Sequence, residues 1–206
     1  MSSMQRRIYL ASQSPRRREL LKQIGIHFEL LLMRSSPSRP ADVDETPHDG
    51  EAPEDYVMRV SQAKARFGAD LLHARRLPIH PVLAADTTVT LENRIYGKPQ
   101  DDRHAAEMLK ALSGREHQVL TAVAVALEDR VEVLVSRSTV RFAELGDERI
   151  RRYVQTHEYA DKAGGYAIQG LAGAFVERLE GSYSGVMGLP LFETATLLQR
   201  FACPTP

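Results

Sequence analysis

The sequence predicts an α/β fold built on a mixed sheet, and three observations carry that prediction. Segments of helical periodicity and short apolar runs of strand character are interleaved along all 206 residues. Two pairs of strand-like runs are joined by tight turns, which makes them antiparallel hairpins, whereas another run leads straight into a helix. No flexible linker interrupts the middle. The chain, 1–206, is therefore expected to fold as one domain, long enough for a single substantial core or for two lobes around a cleft.

The elements follow in order. Ile8-Tyr9-Leu10-Ala11 is a short apolar run that feeds a helix start and reads as a buried strand. The helix is expected over about 15–24: Ser14 suits the N-cap, Pro15 the first helical position, Leu20, Leu21 and Ile24 the apolar stripe, and Gly25 the C-cap. Its first turn holds Arg16, Arg17 and Arg18, although the positive end of the helix dipole favours acids there by roughly 0.3–1 kcal/mol each. Such a cationic turn needs a reason. Residues 33–53, with several Pro, Ser and acidic positions, read as irregular.

A helix resumes at Pro53-Glu54-Asp55, where acids match the dipole, and Tyr56, Val60, Ala63 and Phe67 recur at helical spacing, which puts Lys64 at the edge of the apolar face. Val82-Leu83-Ala84-Ala85 reads as a strand buried on both faces, with Asp86-Thr87-Thr88 just past its end. Val89-Thr90-Leu91 and Ile95-Tyr96 flank a turn at Glu92-Asn93-Arg94 and deliver Gly97-Lys98-Pro99. Asp101 or Asp102 caps a helix that turns Ala105, Met108, Leu109 and Leu112 inward and stops at Ser113-Gly114. Residues 119–127 and 131–135 form a second hairpin around Glu128-Asp129-Arg130, and 139–142 continue the sheet. A helix is expected from Asp147 to about Thr156, a strand over 175–179, and a last helix from Pro190 to about Phe201. The glycine-rich run 163–170 implies backbone passing close to a neighbour.

Composition excludes several classes of partner. Lys+Arg and Asp+Glu both number 27, so no general attraction to nucleic acid or anionic lipid follows, and an aromatic content of 6% offers few rings for stacking on bases. Any basic site must be local. The apolar run behind Arg6 and Arg7 ends at Ala11, too short for a targeting segment, and no stretch approaches the ~20 apolar residues of a membrane helix. The single cysteine, Cys203, lies in what reads as a mobile tail and has no internal disulfide partner. A cytoplasmic protein is expected.

Three features could carry chemistry. A helix N-terminus offers unpaired N–H groups to an anion, and arginine adds a planar fork matched to phosphate oxygens, so the turn with Arg16 and Arg17 suits a polyphosphate; solvated surface is the plainer reading. Asp86, beyond a buried strand, lies where open α/β sheets place functional groups and could hold Mg²⁺ or activate water; a turn acid bonding nearby N–H groups is the alternative. Glu45, in Asp42-Val43-Asp44-Glu45-Thr46, is a second candidate ligand or base. Lys64, Lys98 and Lys162 are individually ordinary lysines whose value depends on convergence. Seven His and one Cys show no zinc-ligand spacing, and neither GxxxxGK[ST] nor GxGxxG occurs. His104 and His117 read as surface or capping residues, and a helix cap is the simplest role for Ser14.

Taken in order, Ser12-x-Ser14-Pro15-Arg16-Arg17, Asp44-Glu45, Ala63-Lys64-Ala65, Ala85-Asp86-Thr87, Gly97-Lys98-Pro99, Leu112-Ser113-Gly114, Asp161-Lys162-Ala163-Gly164, Ile168-Gln169-Gly170 and Gly188-Leu189-Pro190 resemble the Maf family of nucleoside triphosphate pyrophosphatases. The resemblance implies a Maf/ITPase-like fold: an elongated mixed β-sheet flanked by helices, in two lobes with a central cleft, often as a homodimer. It implies hydrolysis of a nucleoside triphosphate to the monophosphate and pyrophosphate, with a divalent cation, Mg²⁺ or Mn²⁺. The branch acting on dTTP and UTP carries AGxYxIQG, matched here by AGGYAIQG, whereas the branch associated with 7-methyl-GTP has Glu where Gln169 stands.

Carried over residue by residue, Asp86 matches the family's proton acceptor, and Arg17, Thr87 and Gln169 match positions tied to base preference. Ser14, Arg16, Glu45, Lys64, Lys98 and Lys162 fall in the site motifs. Asp86 and Glu45 are the expected metal ligands, Lys64 and Lys98 the catalytic cations, and Ser14, Arg16 and Lys162 substrate contacts. The substrate is expected to include dTTP, UTP or modified pyrimidine nucleotides. Competing readings are a non-catalytic nucleotide-binding regulator of cell division and a pyrophosphatase that prefers another base.

Overall fold

The computed structural model describes residues 7–33 and 42–205. In chain order the elements are β1 (Ile8–Leu10), α1 (Pro15–Gln23), β2 (Phe28–Leu30), α2 (Pro53–Ala74), β3 (Val82–Leu91), β4 (Arg94–Tyr96), α3 (Asp102–Leu112), β5 (Glu116–Leu127), β6 (Arg130–Phe142), α4 (Asp147–Val154), β7 (Val176–Glu180), α5 (Tyr183–Met187) and α6 (Leu191–Arg200). Residues 163–165 and 171–175 add short 3-10 turns. The strands form one seven-stranded mixed sheet in the order β2-β1-β3-β5-β6-β7, with β4 also paired to β3. β2 and α5 were not anticipated, being a three-residue strand and a five-residue helix too short to show a period. Of the expected irregular segment 33–53, residues 34–41 lie outside the described residues, and 42–52 form neither helix nor strand.

The edge of β3 is the architectural key. β1 pairs with its start, Tyr9 opposite Val82 and Leu10 opposite Leu83, and runs parallel to it. β4 pairs antiparallel with its end, from Val89 to Leu91. The other edge of β3 is filled by β5 from Val82 to Thr90, so β1 and β4 share one edge and leave residues 84–88 between them without a strand neighbour there. A notch results, with Asp86 and Thr87 in its wall.

Side-chain alternation along β3 sorts residues to opposite faces. Val82 and Ala84 pack with Tyr9, Leu31, Ala65, Ala69 and Leu72 on the α2 side. Leu83 and Ala85 pack with Leu20, Leu21, Leu197 and Leu198 on the side of α1 and α6. Val89 and Leu91 belong to a third core around α3 and α4, with Leu109, Phe142, Tyr153 and Phe175. Two cores thus pack against the first half of β3 and a third against its last residues, so the strand runs through all three.

Two sequence expectations need correction here. The strand does not end at Ala85: it continues unbroken through Asp86, because Thr87, Thr88 and Val89 are good strand formers paired to β5 in register. The buried face of α2 is also rotated, running through Val57, Val60, Ser61, Lys64, Ala65, Gly68 and Leu72, while Ala63 and Phe67 are only half-buried. Lys64 thus sits within the buried face. Gly68 makes the close approach possible, since a Cβ there would meet Val82 Cγ1 at 2.7 Å.

Cys203 is buried in the core with Leu20, Leu197 and Phe201. The expected mobile tail is instead packed, because its apolar residues close the α1–α6 core. The Glu92-Asn93 turn takes positive φ at both residues, the geometry that suits the twist of a tight hairpin. In the glycine-rich run, Gly164 has φ +68° and a Cβ there would meet Val89 Cγ2 at 2.7 Å, which identifies the neighbour that the glycines accommodate.

Asp101 caps α3 as expected, its Oδ1 accepting from the His104 N–H at 2.7 Å, while the His104 ring sits at the helix start with Nδ1 accepting from the Gln100 N–H at 3.3 Å. His117 does not lie at the surface. It is 2% exposed, its Nε2 is 2.9 Å from the Tyr166 hydroxyl, and its ring meets Phe142 edge-on. Strand alternation turned it inward between aromatic rings. Burial lowers its pKa to about 4, so the folded state binds fewer protons than the unfolded state between that value and the ordinary ~6.5. The contribution of neutral His117 is fully present above pH ~6.5 and is lost as pH falls towards 4, on the order of 3 kcal/mol in total. Chemical denaturation between pH 7 and pH 4 is expected to show this loss, and His117→Phe to flatten it.

Candidate active site

On the α2 face of the notch, alternation places Asp86 in phase with Val82 and Ala84, directly towards α2. The Lys64 ammonium donates to Asp86 Oδ1 at 2.8 Å and lies 2.9 Å from Glu45 Oε2. The Lys64 and Asp86 side chains are each 10% exposed, that of Glu45 46%. A buried lysine is thereby neutralised by one buried and one accessible carboxylate.

The loop carrying Glu45 is tied to α2. The Tyr56 hydroxyl donates to Glu45 O at 3.0 Å, and Arg59 donates to Thr46 O at 3.0 Å and to both carboxylate oxygens of Glu51. Arg59 holds the Glu51 carboxyl down to about 2, so that clamp stays charged through neutral pH.

Thr87 points to the other face, where α1 begins. Arg17 donates from Nε to Gly188 O at 2.7 Å, from Nη1 to Ser12 Oγ at 3.4 Å and from Nη2 to Thr87 Oγ1 at 3.3 Å. Arg16 Nε donates to Met187 O at 3.2 Å. Both arginines therefore meet carbonyls at the end of α5, the partially negative end of a helix, which offsets their misfit with the dipole of α1. Burial pulls both guanidinium pKa values down, opposed chiefly by Asp161 for Arg16 and by Asp86 for Arg17. Ser14 occupies the N-cap position of α1 without a side-chain capping bond, so the capping role expected for its hydroxyl is not used. Its backbone N–H instead donates to Ser12 Oγ at 3.2 Å.

Lys162 donates to Ala160 O at 2.9 Å; burial first, and then the charge of Arg16, lowers its pKa. Two cations crowded together in this way favour an anion between them. Lys98 is exposed on the segment tied to the glycine-rich run by a Gly164 N–H to Gly97 O bond of 3.0 Å. Gln169 is exposed at the far end of that run. Just beyond it, Leu171 N–H and Ala172 N–H donate to the Glu158 carboxylate at 2.9 and 3.2 Å.

All these groups meet. Ser14, Arg16, Arg17, Glu45, Lys64, Asp86, Thr87, Lys98, Lys162 and Gln169 all line one cavity of about 360 Å³. That size is in the range of small-molecule pockets. Sequence reasoning did not single out the carbonyls of Met187 and Gly188 or the contact of Thr121 with Thr87; backbone groups leave no residue-type signal, and Thr121 sits in the apolar run of β5. Glu45 and Asp86 both contact the Lys64 ammonium and line the same cavity, and carboxylate oxygens are the donors that Mg²⁺ or Mn²⁺ takes. The donor set fits. Among the described residues no group of three or more His, Cys, Asp or Glu is arranged to hold a metal ion.

Acids facing clustered cations across one cavity define a site for a polyanion that reacts with water or is held through a cation. Comparison with known proteins agrees on the class: residues 7–201 match the model of the family described as Maf-like protein. The chain belongs to that family. It is 57% identical over 193 residues to the dTTP/UTP pyrophosphatase of Nitrosomonas europaea, covering 94% of this chain and 93% of that one. It is 56% identical over 205 residues to the dTTP/UTP pyrophosphatase of Aromatoleum aromaticum, covering 99% of this chain and all of that one. Among solved structures, the Staphylococcus aureus Ham1 protein is similar with a TM-score of 0.49 and 16% identity, over 95% of this chain and 97% of that one. No helix among the described residues is long and apolar enough to cross a membrane.

Proposed function

We propose that the chain is a nucleoside triphosphate pyrophosphatase that hydrolyses dTTP and UTP to the monophosphate and pyrophosphate. The observation that carries this reading is the Asp86–Lys64–Glu45 cluster on the wall of the cavity that Arg16, Lys98 and Lys162 also line. Kinship with dTTP/UTP pyrophosphatases along nearly the whole chain supports the substrate. Because the cavity draws side chains from both sides of the notch, the two lobes act as one domain. The same reading puts the enzyme in the cytoplasm beside the nucleotide pool, as a homodimer, with neither nucleic acid nor membrane as partner.

In this mechanism Arg16, Lys162, the Ser14 hydroxyl and the first N–H groups of α1 hold the phosphate chain. Asp86 orients a water on the α-phosphorus and takes its proton, and Lys64 fixes the carboxylate for that task. Lys98 offsets charge that grows on the phosphoryl oxygens in the transition state. Glu45 and Asp86 would hold a divalent cation, which would supply charge neutralisation for the triphosphate and the leaving pyrophosphate. Positioning and charge stabilisation dominate, as in other phosphoryl transfers.

Gln169 offers both a donor and an acceptor, and its amide N–H can meet a carbonyl of uracil or thymine. An ionised Glu could only accept. Gln169→Glu is therefore expected to lower kcat/KM for UTP and dTTP by roughly tenfold or more, the order of one lost hydrogen bond with an unpaired partner. Unchanged relative values across the four bases would remove Gln169 from that role. Pyrophosphate release from a panel of nucleoside triphosphates, with and without Mg²⁺, tests the function itself; tight binding without release would favour the nucleotide-binding regulator.

A further inference from the structure

Thr121 of β5 is wholly buried and stands directly opposite Thr87 of β3. Its Oγ1 lies 2.8 Å from Gly185 O and 2.9 Å from Thr87 Oγ1. A carbonyl has no proton, so the first contact holds only if Thr121 donates its single hydroxyl proton to Gly185 O. The second contact then needs its proton from Thr87. Arg17 Nη2 also donates to Thr87 Oγ1, at 3.3 Å, and cannot accept in return. The direction of every bond in the row from Arg17 to Gly185 is thus fixed. Thr87 gives its proton inward and turns only a lone pair towards the cavity.

Thr87 is also the one residue of β3 that is not buried. Resting on the function proposed above, we infer that Thr121 is a specificity-positioning residue: it locks Thr87 as a pure acceptor and so selects a nucleobase that presents an N–H. A phosphate oxygen is itself an acceptor at neutral pH and gains nothing from such a group. The surroundings agree, since the Arg17 guanidinium beside Thr87 is already engaged by Gly188 O and Ser12 Oγ, and the cavity wall after Gly185 continues as Val186, Met187 and Gly188. In dTTP and UTP the base donor is N3–H. Cytosine has a lone pair at N3, which would face the lone pair of Thr87.

The test compares kcat/KM for UTP and CTP in the wild type, Thr121→Val and Thr121→Ser. Valine keeps the shape, removes the hydroxyl and frees the Thr87 proton to meet cytosine N3, so the UTP/CTP ratio is expected to fall roughly tenfold or more, the order of one hydrogen bond set against an unpaired acceptor. Serine restores the row and is expected to restore the ratio, which loss of packing alone would not do. An unchanged ratio in a folded Thr121→Val, from a wild type that prefers UTP, overturns this inference and leaves the function standing. A wild type that hydrolyses no pyrimidine triphosphate overturns both. N3-methyl-UTP, assayed on the wild type, keeps the question decidable where the valine variant is recovered unfolded: hydrolysis as fast as that of UTP also overturns it. If Thr87 instead faces the ribose, which both nucleotides share, the ratio does not move and the inference fails.

Discussion

Asp86→Asn is expected to slow pyrophosphate release by roughly 10²–10⁴-fold, the usual contribution of a positioned general base, while the protein stays folded. The substitution keeps the shape of the side chain and an oxygen that can accept from the Lys64 ammonium, which lies 2.8 Å from Oδ1. It removes the proton-accepting carboxylate. A steady-state rate together with a thermal unfolding curve checks both halves. Near-normal release from a folded variant would take Asp86 out of the mechanism.

Lys64→Met should do more damage to the fold. It strands Asp86, whose side chain is 10% exposed, without the cation that neutralises it. Breaking a buried ion pair from one side costs about 3–5 kcal/mol because the remaining charge is uncompensated. Glu45, at 46% exposure, is screened by solvent and adds little to that figure. The denaturation midpoint is therefore expected to fall clearly, and turnover to fall by roughly 10²-fold or more as Asp86 loses its fixed orientation. Adding Asp86→Asn to Lys64→Met removes the stranded charge as well, so the double variant should recover much of the lost stability and none of the activity. Strictly additive stability losses would mean that the two side chains do not act as a pair.

How legible the molecule was in its sequence depended on length and periodicity. α3 declared itself through the Asp101 cap and through Ala105, Met108, Leu109 and Leu112, all of which are buried. The hairpins were readable because polar turn residues separate long apolar runs. The site was readable in its residue types but not in its geometry. Asp86 looked like a residue past a strand end because polar Asp86-Thr87-Thr88 follows an apolar run; the strand passes through them because the edge beside them is open and the polar groups can line a cavity. Lys64 looked like a helix-edge residue because charge is expected outside, and its burial depends on Asp86 and Glu45, which lie 22 and 19 positions away in sequence and show no local sign of the contact. His117 was misplaced for a related reason: the rings that enclose it, Phe142 and Tyr166, come from distant segments. The row from Arg17 through Thr87 and Thr121 to Gly185 joins three elements and a backbone carbonyl, and only the folded register of β3 against β5 brings it together.

The central claim is that Asp86 delivers water to the α-phosphorus of a bound pyrimidine triphosphate. Hydrolysis of UTP in heavy-oxygen water, with mass spectrometry of both products, tests it most directly. The predicted result is one labelled oxygen in UMP and none in pyrophosphate. Label in the pyrophosphate, or release of UDP with labelled phosphate, would contradict it.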